Sequence, residues 1–205
     1  QDWQELAPVV APSLEDLGKL GELLAQTHLK LAPLADHLRR QPPLSQQVTS
    51  WHQDLLGSSE AARLAPLYDF FQARFEQIDA EYASLPQAVL HGDYSWRNLK
   101  RRGDEWAVID FERLVVDIPW RELGKLWLRE VKQPEERQAF LAGYRKILPL
   151  QEPSPLLDAC LSFQLAQGIY RYVLKVDDWE FRQMADEVIE DVQAWCVSQG
   201  LDMSN

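Results

Sequence analysis

Two neighbouring stretches decide the fold of this chain: VLHGDYSWRN at residues 89–98 and VIDFE at residues 108–112. Short apolar runs precede Asp93 and Asp110, and RRGD at residues 101–104 has the composition of a turn. We therefore predict a hairpin in which residues 98–101 and 106–109 pair as short strands. This folding back brings Asn98 and Asp110 near one another, with Asp93 on the loop just before the hairpin.

Three oxygen-bearing side chains in this region favour a metal-assisted chemistry. Mg²⁺ is a hard cation that takes oxygen ligands and keeps the phosphates of a substrate as further ligands. Phosphoryl transfer uses such a set, in which one aspartate accepts the proton of the attacking hydroxyl while an asparagine and a second aspartate hold the metal. Asp110 also ends an apolar run, where an unpaired carboxylate is costly unless a metal or a donor compensates.

The order and spacing of these motifs resemble a known family. HGD at residues 91–93, with Asn98 five positions after Asp93, is similar to the catalytic loop of the aminoglycoside phosphotransferase and choline-kinase-like superfamily, whose catalytic lobe is shared with protein kinases. IDFE at residues 109–112 resembles that family's metal-binding segment. DIPWRELG at 117–124 is a looser match to the stretch that follows, since Ile118 separates its Asp from its Pro. LGELLAQTH at 20–28 is similar to the first helix after the hinge between the two lobes.

The resemblance assigns a role to four residues. It implies that Asp93 is the catalytic base and that Asn98 and Asp110 are the metal ligands. It implies a structural role for His91, which would brace the catalytic loop. The residues alone also allow simpler interpretations, in which Asp93 stabilises a turn after Gly92 and the Asn98 side chain shapes the loop.

Three further side chains are candidates for supporting roles, each with an open alternative. Glu112 either contacts the metal through water or pairs with Arg97 or Arg113. Asp117 either braces the loop, through His91 or a backbone N–H, or is a surface turn residue. Trp96 either lines the acceptor pocket, where its face could bind a cation, or packs in the interior.

Composition excludes some partners. The formal net charge of the 205 residues is −11, and no basic stripe exists to neutralise nucleic acid or an anionic membrane. Such a charge is compatible with a cationic small molecule. No apolar run approaches the roughly 20 residues of a membrane span, and no signal peptide opens the chain. Cys160 and Cys196 are predicted to be buried thiols, which favours the reducing cytoplasm.

The apolar pattern predicts a mainly α, α+β fold: a helical bundle with a small β-hairpin element that carries the catalytic loop, as in a protein-kinase-like C-terminal lobe. Ser13 is a predicted N-cap, and His28 lies on an apolar stripe as a core histidine. A second stripe from Ala61 to Tyr82 predicts one helix, with Pro66 in its first turn unless a short helix precedes it. Two further helices are expected at about 156–176 and 178–197. The acidic side chains on these last helices either help to form an acceptor site or are solvated.

We predict one kinase-like lobe over residues 1–205. It divides into the exit from a hinge at 1–12, a helical part at 13–84, the catalytic and metal-binding loops at 85–118, and a helical substrate-side part at 119–205. No glycine-rich phosphate loop and no strand lysine are found. Because the chain also begins with Gln1 rather than Met, we expect that the N-terminal lobe is missing and that these residues alone are inactive.

The leading hypothesis is a Mg²⁺-dependent kinase that transfers the γ-phosphate of ATP or GTP to the hydroxyl of a small, hydroxylated molecule, with cationic molecules among the candidates. The first alternative is a pseudokinase-like scaffold that binds a partner without turnover. The second is a metal-dependent hydrolase that uses His91, Asp93 and Asp110. The sequence does not identify the acceptor, the nucleotide or the oligomeric state.

Overall fold

The computed structural model describes residues 4–5, 12–103 and 105–202. Most of the described chain is helical, which confirms the predicted fold class. The α-helices in this part are α1 Leu14–Leu31, α2 Leu44–Leu55, α3 Ala61–Gln72, α4 Phe75–Ser84, α5 Trp120–Arg129, α6 Pro134–Arg145, α7 Pro155–Val176 and α8 Trp179–Ser198. Short 3-10 helices lie at Ala32–His37 and Trp96–Asn98. None of the described helices is long and apolar enough to cross a membrane.

The strands are short and form two separate antiparallel sheets. They are β1 Gln4–Glu5, β2 Ala88–Leu90, β3 Leu99–Arg102, β4 Glu105–Val108 and β5 Val115–Asp117. One sheet has the order β1-β3-β4, with Leu99 opposite Val108, and the other pairs β2 with β5. The predicted hairpin is therefore confirmed with ends shifted by one residue, although Asp104 of its turn lies outside the described residues. Most of the predicted hinge segment, residues 1–3 and 6–11, also lies outside them.

The chain divides into two compact units, each made of two separate segments. The first unit contains Gln1–Gln41 and Pro86–Glu152, and the second contains Pro42–Leu85 and Pro153–Asn205. The catalytic and metal-binding motifs all belong to the first unit. Whether the two units act together as the single lobe predicted from the sequence stays a prediction.

In the first unit, α1 and α6 pack with their backbones in contact. A Cβ added at Gly21 would lie 2.0 Å from the carbonyl oxygen of Phe140, and one at Gly143 would lie 1.9 Å from that of Gly18. Only glycine allows such an approach without moving the helices. The buried core of this unit surrounds the contact and consists of Leu17, Leu20, Leu24, Ala25, Tyr94, Trp96, Leu99, Leu123, Leu126, Val131, Phe140 and Tyr144.

In α1, Ser13 forms the predicted N-cap. Its hydroxyl accepts a hydrogen bond from the Asp16 N–H at 3.1 Å, and the Asp16 carboxylate lies 3.4 Å from the Ser13 N–H, which completes a capping box. The helix therefore begins at Leu14, and its register places His28 on the buried face, as predicted.

The second unit is helical, and α7 supplies much of its buried surface. Ser154 caps α7, and its N–H and hydroxyl both donate to Glu81 at 2.6 Å. Cys160 and Cys196 are free and buried, as predicted. Burial raises the pKa of the Cys196 thiol to about 12, so that it stays protonated at neutral pH.

The stripe from Ala61 to Tyr82 forms two helices, so the prediction of one helix is wrong. The chain breaks at Ala73 and Arg74, where Arg74 adopts φ −123° and its guanidinium donates to the Phe70 carbonyl at 2.7 Å. Pro66 lies inside α3 and not in its first turn. The apolar residues keep their spacing of three and four positions across the two-residue break. For this reason the periodicity alone did not reveal the break.

Candidate active site

The loop that carries Asp93 begins where β2 ends and depends on a glycine. Gly92 has φ +83°, a conformation that side-chain-bearing residues rarely adopt. A Cβ at this position would lie only 2.2 Å from the carbonyl oxygen of Arg113. Gly92 therefore allows the segment after the hairpin to pack directly against the catalytic loop.

Asn98 holds the other end of the same loop. Its side-chain N–H donates to the Asp93 carbonyl at 2.8 Å, and its backbone N–H donates to the Ser95 carbonyl at 2.9 Å. The residue is buried, and only 6% of its surface is exposed. The carboxamide nitrogen thus shapes the loop, as in the simpler interpretation, while the carboxamide oxygen remains a donor for a metal. The two interpretations are compatible.

Asp110 lies beside Asn98 because the hairpin continues by one hydrogen bond. The Ile109 N–H donates to the Asn98 carbonyl at 2.9 Å, and Asp110 follows immediately. Asp110 has φ +66° and is exposed. The expectation that an unpaired Asp110 carboxylate is costly at the end of an apolar strand is wrong, because Ile109, Asp110 and Phe111 are all exposed. The left-handed φ of Asp110 is a second and separate feature. A strained backbone of this kind costs on the order of 1–3 kcal/mol and is common at functional sites.

His91 links the two motifs through its ring. Because the Ile109 carbonyl can only accept, Nε2 carries the proton and donates to it at 2.8 Å. Nδ1 then accepts from the Asp93 N–H at 3.3 Å. The ring also contacts Phe111 edge-on, with centroids 5.0 Å apart. Both nitrogens are therefore engaged by the backbone, which leaves neither for a metal and removes the basis of the hydrolase alternative.

Glu122 is a residue that the sequence analysis missed. It is buried in α5, and its carboxylate accepts from the Gly92 N–H at 2.7 Å, from the His91 N–H at 3.2 Å and from His28 Nε2 at 3.0 Å. Burial alone raises the pKa of this carboxyl. The hydrogen bond and the charge of His28 lower this pKa, and so do His91 and the Gly92 N–H. The lowering effects win, so the pKa of Glu122 lies below its ordinary value.

Two tyrosines complete the buried side of the site. The Tyr144 hydroxyl and His28 Nδ1 form a hydrogen bond of 2.8 Å, on the opposite side of the ring from the bond between Nε2 and Glu122. The Tyr94 hydroxyl donates to the Leu20 carbonyl at 2.8 Å. Burial, and then the negative charge of Glu122, raise the pKa of both tyrosines well above the ordinary value. Both hydroxyls therefore stay protonated at neutral pH.

Asp117 is fixed within β5. Its carboxylate accepts from the Ile118 N–H at 2.7 Å and from Arg121 Nε at 3.2 Å, and the residue is 2% exposed. The surface-turn alternative is therefore wrong. The Ile118 N–H belongs to the next residue and not to the catalytic loop, and the ring of His91 is engaged elsewhere, so the bracing role of Asp117 stays a prediction.

Glu112 and Trp96 lie away from the partners first expected for them. Glu112 is exposed, and in the described part of the chain it pairs with neither Arg97 nor Arg113. Trp96 is 8% exposed and packs in the core of the first unit, as its second interpretation stated. It therefore offers a ligand little surface.

Cationic side chains contact the catalytic loop from its exposed side. Arg97 Nη2 lies 2.5 Å from Asp93 Oδ2, and Arg113 Nη1 lies 4.0 Å from the same oxygen. Lys125 Nζ donates to the Gly92 carbonyl at 3.2 Å. These contacts with Asp93 were not predicted, although Asp93 and Arg97 are four positions apart, a spacing at which opposite charges often pair.

The residues that the structure describes contain no cluster of three or more His, Cys, Asp or Glu side chains able to hold a metal. Asn98 and Asp110 are two side chains, of which one is a carboxylate. This small donor set fits Mg²⁺, which is commonly held by one or two carboxylates together with water and substrate phosphates.

Solved structures of small-molecule kinases share this fold. Choline kinase LicA from Streptococcus pneumoniae superposes with a TM-score of 0.63 at 12% identity, over 89% of this chain and 67% of its own. The spectinomycin phosphotransferase APH(9)-Ia, solved with ADP and spectinomycin, gives 0.58 at 15% identity over 95% and 69%. The macrolide 2'-phosphotransferase MphH from Brachybacterium faecium gives 0.55 at 19% identity over 91% and 65%. The chain thus spans about two thirds of the length of these proteins.

Sequence comparison identifies the family directly. No curated protein sequence matches the chain significantly. The profile of the phosphotransferase enzyme family, however, matches residues 3–156, which is more than half of the chain and includes every motif residue discussed above. This match agrees with the fold and with the hydrogen bonds that join residues 91–98 to Ile109. It shows that the chain belongs to the phosphotransferase enzyme family.

Proposed function

We propose that the protein transfers the γ-phosphate of ATP or GTP to a hydroxyl group of a small molecule, with Mg²⁺ as cofactor. The observation that carries this proposal is the hydrogen-bonded path from Asp93 through Asn98 to the Ile109–Asp110 segment. Family membership supports the reaction class. The choline kinase and the spectinomycin and macrolide phosphotransferases with this fold make amino alcohols, aminoglycosides and sugar-bearing compounds candidate acceptors.

In this proposal Asp93 is the catalytic base. The acceptor oxygen forms a bond to the γ-phosphorus, the bond from that phosphorus to the bridging oxygen breaks, and the hydroxyl proton passes to Asp93. Glu122 and Asn98 act as positioning residues, because they fix the backbone on either side of the base. The side chains of Asn98 and Asp110 would hold Mg²⁺, which neutralises charge on the nucleotide phosphates when bound.

The replacement Asp93→Asn tests the assignment in the full-length protein. We expect release of nucleoside diphosphate to fall at least 1,000-fold, while nucleotide affinity changes less than threefold, because the proton acceptor is lost and the metal ligands remain. The measurement is a coupled turnover assay with nucleotide titration in parallel. Asp36→Asn is the matched control, since the Asp36 side chain is 93% exposed and its only ion pair in the described chain is a long one, 3.9 Å to Arg40. Turnover by Asp93→Asn equal to that of Asp36→Asn would exclude Asp93 as the base.

One observation favours a second candidate, a binding scaffold without turnover. Arg97 contacts the Asp93 carboxylate directly and competes with an acceptor hydroxyl for the same oxygen. A scaffold would bind nucleotide and release no diphosphate with any acceptor. If the protein is a scaffold, neither the unmodified protein nor Arg97→Gln will show turnover. If it is an enzyme, the unmodified protein will show turnover.

A further inference from the structure

The exposed side of the catalytic loop carries more positive charge than a catalytic base requires. Arg97 and Arg113 both face Asp93 Oδ2, at 2.5 and 4.0 Å. Their side chains are 57% and 70% exposed, whereas that of Asp93 is only 13% exposed. Lys125 adds a third cation at the Gly92 carbonyl. This arrangement is notable in a chain whose formal net charge is −11.

The backbone of the site fixes the two arginines. Arg113 is held because its carbonyl packs against Gly92, where no side chain fits. Arg97 lies in the 3-10 turn Trp96–Asn98, which is closed by the bond from the Asn98 N–H to the Ser95 carbonyl. The backbone therefore places both residues next to the catalytic loop, one within it and one in the segment packed against it.

The guanidinium groups of Arg97 and Arg113 have more N–H donors than their contacts with Asp93 use. A guanidinium presents five N–H donors in a planar fork that matches a carboxylate or phosphate. In the described part of the chain, Asp93 is the one ion-pair partner of both arginines. Both side chains are more than half exposed, so donors that Asp93 does not use are accessible to a group that binds beside it. Charge-assisted bonds to an oxyanion there are stronger than bonds between neutral groups.

We propose that Arg97 and Arg113 form an oxyanion-binding position beside Asp93. The inference rests on the proposed function for the source of the oxyanion, which is either the terminal phosphate of the nucleotide or an acidic group of the acceptor. When the oxyanion binds, Arg97 turns from Asp93 towards it, and the carboxylate becomes available to the hydroxyl. Arg97 and Arg113 then recognise the substrate, while Asp93 does the proton chemistry.

The first experiment needs no turnover. Inorganic phosphate is titrated by calorimetry at low ionic strength against the full-length protein and the double variant Arg97→Gln/Arg113→Gln. We expect at least tenfold weaker binding to the double variant. Arg145→Gln is the matched control, because Arg145 is exposed and pairs with Glu152 away from the loop, and it should change affinity less than twofold. Arg97→Lys keeps the charge but loses the planar fork, so its affinity should lie between those of the unmodified protein and Arg97→Gln. Equal phosphate affinity in the double variant, or no binding to the unmodified protein, would overturn the proposal.

The second experiment identifies the source of the oxyanion from the kinetics of Arg97→Gln. A terminal phosphate predicts a KM for nucleoside triphosphate at least fivefold higher, with nucleoside monophosphate affinity unchanged. An acidic acceptor predicts instead a higher KM for the acceptor alone, and hydroxy acids should then be better acceptors than choline or glycerol. Either result supports the oxyanion position, and unchanged KM values for both substrates would overturn it. Phosphate binding that depends on Arg97 in a protein without turnover would leave this position standing and reject the kinase proposal.

Discussion

The two sides of the catalytic loop are built differently. On the buried side, Glu122 accepts hydrogen bonds from His28 and from two backbone N–H groups, in a region with almost no exposed surface. On the exposed side, Asp93 faces two solvated arginines, and Asp110 and Glu112 lie at the surface. The buried contacts set the position of the loop, whereas the exposed groups are free to meet a substrate. Stability and chemistry should therefore respond to different substitutions.

The largest effect on stability is expected from Glu122→Ala. The change leaves the N–H groups of His91 and Gly92 and the ring of His28 without their shared acceptor in a buried region. Losing one partner of such a buried network costs on the order of 3–5 kcal/mol. Urea unfolding followed by circular dichroism measures the loss. If the unfolding free energy falls by less than about 1 kcal/mol, the buried side does not stabilise the loop more than the exposed side.

Gly92→Ala should have a somewhat smaller effect, about 2–3 kcal/mol, since it combines a positive φ with a clash against the Arg113 carbonyl. Gly103→Ala is the matched control. Gly103 also has a positive φ, +59°, but nothing lies within 4 Å of an added Cβ, so only the backbone term of about 1 kcal/mol remains. The same unfolding measurement compares them, and equal losses would show that the contact with Arg113 is not tight.

The buried side should also determine part of the response to acid. The pKa of Glu122 is lowered on folding, so its contribution to stability is present above the unfolded value near 4.5 and is lost as the pH falls through the lower, folded value. Glu122→Gln removes this titration. We expect a shallower decline of the unfolding free energy below pH 4.5 in that variant than in the unmodified protein, measured by denaturant titrations at several pH values. Parallel declines would contradict the assignment.

The smallest effect is expected from Glu112→Gln on the exposed side. Glu112 pairs with neither neighbouring arginine in the described chain, so the unfolding free energy should change by less than about 0.5 kcal/mol. Thermal unfolding of the variant measures this. A loss above 1 kcal/mol would reveal an interaction that the static geometry lacks and would weaken the contrast between the two sides.

Local features of this fold were predictable from sequence, and distant ones were not. The hairpin followed from a turn composition flanked by apolar residues, and the Ser13 cap from residue types three positions apart. Glu122 was missed because its partners His91 and His28 lie 31 and 94 positions away, so no spacing rule connects them. The break at Ala73 and Arg74 was missed because the stripe on either side remains continuous.

Exposure was the other property that sequence could not supply. Asp110 was expected to be costly at the end of an apolar strand, but the chain is exposed from Ile109 to Arg113. Trp96 has the same sequence context whether it lines a pocket or fills the core, and packing in three dimensions decides between them. The roles assigned to Asp93, Asn98 and Asp110 stay predictions until the variants are measured.

The bond between His28 and Tyr144 has a consequence for synthesis on the ribosome. The two residues are separated by 116 positions, so α1 must wait until α6 has left the exit tunnel before its histidine finds a partner. At roughly 5–20 residues per second, this delay lasts on the order of 6–20 seconds. During that interval the part of α1 that packs against α6 has no native cover, which makes the nascent chain a candidate client for chaperones.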